Sequence, residues 1–93
     1  LEEAPGLAEA HQGIASCYEI LGQPQLALEH ARRAFRDRPY DFYFAQTLFR
    51  IQAAAGQVAE ARQTLEVWLR AAPADDPMRP VVVQTLQEWQ AGG

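Results

Sequence analysis

Few residues in this chain have the type and spacing that chemistry needs. His11 and His30 could ligate a metal ion, but they stand far apart and neither lies in an H-E-x-x-H or Cys-His spacing, so no metal site is expected. Asp75-Asp76 could serve as paired carboxylates for acid–base work, yet Asp76 directly before Pro77 is better explained as a helix N-cap. Cys17 is the single cysteine; it allows no internal disulfide and falls on an apolar stripe, where it should act as an inert small hydrophobe. Arg32, Arg33, Arg36 and Arg38 suggest phosphate or nucleic acid, but Glu29 and Asp37 interrupt them. A solvated face that complements a helix dipole explains them better. No nucleophile is paired with a base, and nothing builds an oxyanion or phosphate cradle. The chain is therefore expected to be non-catalytic and to need no cofactor.

A binding surface is the better prospect. Residues 42–50 read FYFAQTLFR, in which Tyr43, Gln46, Thr47 and Arg50 interrupt an apolar run. On a helix these four share one face at i, i+3, i+4 and i+7, while Phe42, Phe44, Leu48, Phe49 and Ile51 face neighbours. Tyr and Arg are the side chains most often found as binding anchors. The competing explanation is the ordinary solvated side of an amphipathic helix.

The elements that position this stripe follow from an internal period. Gly22 and Gly56 stand 34 residues apart (56 − 22), and the same spacing links Gln23 to Gln57, Ala27 to Ala61 and Pro39 to Pro73. Pro5 precedes Pro39 by the same step, with Leu1, Phe35 and Leu69 in register ahead of the prolines.

Each unit makes sense as a helical hairpin. Residues 8–21 put Ala10, Ile14, Cys17 and Leu21 on one stripe. Gly22 stops that helix as a left-handed C-cap, and Pro24 suits the first turn of the next. The second helix turns Ala27, Ala31, Ala34 and Phe35 inward and ends at Pro39, with Arg36 and Arg38 in its last turn. The second unit repeats the plan with Phe44, Leu48, Ile51 and Ala55, then Gly56, then Ala61, Leu65, Trp68 and Leu69, then Pro73. A third copy starts at Asp76 with Met78, Val82, Leu86 and Trp89 as its apolar stripe. No glycine follows in register, so it reads as a capping helix starting between 77 and 81.

These residues resemble the tetratricopeptide repeat, whose 34-residue unit pairs large, small and aromatic positions on one helix with Ala, Ala and Pro on the next. Repeat one, residues 8–41, matches at Ile14, Ala15, Tyr18, Gly22, Ala27, Ala34 and Pro39. Repeat two, residues 42–75, matches at Leu48, Gly56, Ala61, Leu65 and Pro73, and departs at Phe49, Gln52 and Trp68. Residues 1–7 then read as the tail of a preceding repeat and 76–93 as the capping helix and tail. With no starting Met, the chain is expected to be a C-terminal fragment of a longer, bacterial-type repeat protein.

The resemblance implies an all-α fold, a right-handed superhelix of two antiparallel helix hairpins plus a fifth helix. It also implies a concave groove lined by the first helices. The positions looking into that groove would be Glu9, Gln12, Gly13, Ser16, Glu19 and Ile20, then Tyr43, Gln46, Thr47 and Arg50, then Gln84, Gln87 and Glu88. One subset of the family clamps C-terminal carboxylates with Lys and Asn. Here Gln12 and Ser16 hold the first-repeat clamp positions and the chain contains no Lys, so that partner class is not expected. Trp68 should fill the space under Val82, Leu86 and Trp89.

The expected role is a protein–protein interaction module, scaffold or adaptor, that takes a peptide or partner protein in the groove. A substrate-recruiting domain of a larger enzyme is one alternative. Self-assembly is the other, through the N-terminal helix face that exposes Ile14, Cys17 and Leu21. A formal charge of −4 argues against a dedicated nucleic-acid binder, and no apolar run is long enough to insert in a membrane. The compartment stays open between cytoplasm and periplasm.

Overall fold

The computed structural model describes residues 6–92, with side chains through Gln90. Leu1 and Pro5, which extend the period backwards, lie outside the described residues. Five α-helices follow in order: α1 Leu7–Ile20, α2 Pro24–Asp37, α3 Phe42–Ala54, α4 Val58–Ala71 and α5 Arg79–Gly92. Among the described residues there is no strand. The fold is all-α: α1 packs on α2, α3 packs on both α2 and α4, and α5 packs against α4.

The bends are built by two glycines. Gly22 and Gly56 sit at φ 75° and 81°, a backbone region that residues with a Cβ enter only with strain. Each closes a Schellman motif. The Gly22 N–H donates to the Glu19 carbonyl and the Gln23 N–H to the Tyr18 carbonyl; Gly56 and Gln57 do the same to Ala53 and Gln52. Pro24 follows as the first residue of α2. Asp41 caps α3 by accepting the Tyr43 N–H at 3.0 Å. The Asp76 carboxylate accepts the Met78 N–H at 2.8 Å, and α5 starts soon after at Arg79. Arg79 also ties the chain back: its guanidinium donates to the Leu69 carbonyl at the end of α4 at 2.7 Å.

Small residues bring α1 and α2 together. Ala8, Ala15, Ala27, Ala31 and Ala34 are all buried, with Leu28 and Phe35 beside them. The inward side of α1 differs from the stripe expected in sequence. Ala8, His11, Gln12 and Ala15 are buried, whereas Ala10 and Cys17 are exposed, Ile14 is 40% exposed and Leu21 is 70% exposed. Both sets have helical spacing, and the alanine side is the one that admits close approach by α2. The larger apolar residues are left on the other flank, so Cys17 is a surface thiol and not a buried one.

The second unit buries Phe44, Leu48 and Ile51 of α3 and Ala61, Leu65 and Trp68 of α4 as expected, though Ala55 is exposed. Its three departures from the repeat pattern each have a local partner. Gln52 replaces an aromatic residue and accepts a hydrogen bond from the Thr64 hydroxyl at 2.7 Å, so its buried amide is not left without a partner. Trp68 is fully buried; its indole N–H donates to the Tyr40 carbonyl at 3.1 Å and its ring meets Phe42 edge-on at 5.1 Å. Phe49 stacks on Trp89 of α5 at 5.2 Å. Val82 and Leu86 join the cluster that holds Trp68. Trp89 meets Phe49 of α3, so α5 is held both by the cluster that contains Trp68 and by this one aromatic stack.

Candidate functional site

The polar stripe of α3 divides into two kinds of residue. Thr47 points inward and is 2% exposed, and Gln12 of α1 is 3% exposed. The two meet side chain to side chain, with the Gln12 amide donating to the Thr47 hydroxyl. Neither is available to a ligand. Their bond registers α1 against α3, and the Gln12 Oε1 has no hydrogen-bond partner among the described residues.

Tyr43, Gln46 and Arg50 make up the exposed part. Tyr43 is 59% exposed, with its ring resting on Phe44 at 5.5 Å. Gln46 is exposed one turn on. Arg50 is not a free cation: its Nε and Nη2 donate to both oxygens of Glu19, at 3.2 and 2.8 Å. These hydrogen bonds hold the Glu19 carboxyl below the usual carboxylate range, against a smaller opposing effect of burial. The Arg50 guanidinium is pushed up chiefly by the same bonds.

The remaining expected site residues are spread out. Ser16 is half-buried on α1. Glu9 forms an ion pair with Arg38 at 2.9 Å, and that guanidinium lies 5.9 Å from the centre of the Phe44 ring. Arg38 is therefore engaged between units and not part of a solvated arginine face. Arg33 does fit that description, paired with Glu29 one turn away. Gln84 is exposed on α5 and donates to Glu88 at 3.2 Å. It lines a separate open cleft of about 830 Å³ with Asp75, Asp76 and Arg79, apart from Tyr43.

One cluster escaped the sequence. His11 Nδ1 and His30 Nδ1 are 3.0 Å apart across α1 and α2, and Tyr18 stacks on His30 at 5.8 Å. The ring centroids are 5.2 Å apart with the planes tilted by 32°, and which Nδ1 donates and which accepts depends on the tautomers of the two rings. They stand on the two helices joined by the Gly22 bend, 11 residues before it (22 − 11) and 8 after it (30 − 22), and that hairpin relation is the signal that could have found them. No group of three or more metal-ligating side chains occurs among the described residues. No helix is long and apolar enough to cross a membrane.

Comparison with known families matches residues 20–81 to the tetratricopeptide repeat, a span from the end of α1 into α5. No curated protein and no solved structure gives a significant match. With glycine-capped hairpins stacked side by side and more than half of the chain inside the family match, the chain belongs to the tetratricopeptide repeat family.

Proposed function

We propose that this chain is a non-catalytic protein–protein interaction module, a scaffold or adaptor that takes a peptide or partner protein on the face shared by α1 and α3. Family membership makes protein interaction the expected role. The finer assignment rests on one observation: Tyr43, Gln46 and Arg50 are exposed in a row on α3, beside Glu19 of α1. Tyr43 is a large amphipathic side chain already held against Phe44, so it has little freedom to lose on binding. Arg50 is held in place by Glu19 and presents a planar donor group at the same edge. Gln12 and Thr47 set the spacing of the two helices and do not touch the partner. Residues 8–41 and 42–75 act as the two repeat units.

The test is capture of partner by the tagged chain, compared with a Tyr43→Ala/Arg50→Ala variant. Capture should weaken while the melting temperature changes little. Retained capture by a folded double variant would move the site elsewhere.

The uncovered flank of α1 and α2 supports a second reading, self-assembly. Ile14 and Leu21 are exposed there, as is Leu26. Light scattering over a wide concentration range decides it; a strict monomer at high concentration counts against it.

A further inference from the structure

A second surface lies between α2 and α4, in a cleft of about 560 Å³ to which α1 contributes nothing. Phe35, Leu48, Pro39 and Val67 form its apolar floor, and Arg32 and Arg36 stand at its rim one helical turn apart. The charge at that rim is unbalanced. Arg33, Arg38 and Arg50 each hold a carboxylate. Among the described residues Arg32 makes one side-chain hydrogen bond, to the Gln57 Oε1 at 3.5 Å, and Arg36 makes no ion pair or side-chain hydrogen bond. Two guanidiniums without carboxylate partners, in a chain of net charge −4, are a local inversion of the overall sign.

We propose that this α2–α4 cleft binds an acidic peptide segment, with one apolar side chain on the floor and flanking carboxylates on Arg32 and Arg36. Guanidinium and carboxylate match as forked donor and acceptor pairs. The apolar floor favours a peptide over a nucleic acid, because bases would need an exposed aromatic platform and Phe35 is buried. The surface is separate from the α1–α3 face, so it stands or falls independently of Tyr43.

The experiment is fluorescence anisotropy of the whole chain with a short labelled Glu-Leu-Glu peptide. Saturable binding is expected, weakened about tenfold by Arg36→Gln and further by Arg32→Gln/Arg36→Gln, since a charge-assisted hydrogen bond is worth a factor of that size. Replacing the peptide leucine by serine, or raising the salt, should also weaken it. Tyr43→Ala should leave it unchanged. Both arginines are exposed, so circular dichroism should show the variants fully helical. Absence of saturable binding, full binding by the double variant, or equal binding of the serine peptide would overturn the proposal. So would displacement by a single-stranded oligonucleotide at lower concentration, which would make this a phosphate site.

Discussion

Glu19 and Arg50 join α1 to α3 through two parallel hydrogen bonds, at 2.8 and 3.2 Å, and so connect one helical hairpin to the next at the surface. The side chains are 51% (Arg50) and 34% (Glu19) exposed, so the coupling energy should be small, about 0.5 kcal/mol in a double-mutant cycle. The pH dependence gives it a sharper signature. Glu19 has a folded-state pKa below its unfolded value, so the stabilisation is present above the unfolded value and is lost as pH falls through the folded one. Glu19→Gln should therefore be less stable than the parent chain near neutrality and equal to it in strong acid. Urea denaturation at a series of pH values measures this; a constant gap would show that the carboxylate is not the relevant group.

Trp68 links the second hairpin to the fifth helix. Its indole is fully buried against Phe42, in the same cluster as Val82 and Leu86. Trp68→Ala should cost ~3–5 kcal/mol, the range for truncating a buried aromatic residue. Hydrogen exchange across residues 81–90 should speed up more than exchange in α1. If protection of α5 is unchanged, the Phe49–Trp89 stack and the Arg79 bonds to the end of α4 secure that helix without Trp68.

The architecture was legible because its strongest constraints are local. A left-handed C-cap needs glycine and a first-turn proline needs no donor, so Gly22, Gly56 and Pro24 mark bends in the sequence itself. Which side of α1 would be covered was not local. Ala10, Ile14, Cys17 and Leu21 and the observed Ala8, His11, Gln12 and Ala15 both have helical period, and only the packing of α2 and α3 chooses between them. The site suffered from the reverse problem. Thr47 and Gln12 look like surface residues one at a time, and the bond from the Gln12 amide N–H to the Thr47 hydroxyl offsets part of the cost of burying them. Glu19 and Arg50 lie within one expected groove, but their mutual pairing depends on side-chain geometry that spacing does not encode.

Thr47→Val should expose the role of that buried bond. The methyl group fills the hydroxyl's volume while Gln12, 3% exposed, loses the hydrogen-bond partner of its amide. Leaving a buried polar group unpaired costs ~1–3 kcal/mol. A Gln12→Leu/Thr47→Val double variant should recover part of that loss, because both polar groups are then gone. Thermal denaturation of the single and double variants provides the comparison; a double variant no better than Thr47→Val would mean that packing, not the unpaired amide, sets the cost.

Two glycines of the first hairpin should respond to alanine in opposite directions. An added Cβ would meet nothing within 4 Å at either Gly13 or Gly22, so clashes are excluded as the cause of any difference. Gly13 lies inside α1 on an exposed turn, where alanine restricts the unfolded chain and favours the helix by about 0.5–1 kcal/mol. Gly22 sits at φ 75°, which costs an L-residue about 1 kcal/mol. Gly13→Ala should therefore raise the melting temperature and Gly22→Ala lower it, by similar amounts. If Gly22→Ala were neutral, the Gly22 N–H to Glu19 carbonyl bond would have to survive in another backbone conformation, and the bend between α1 and α2 would not depend on the left-handed cap.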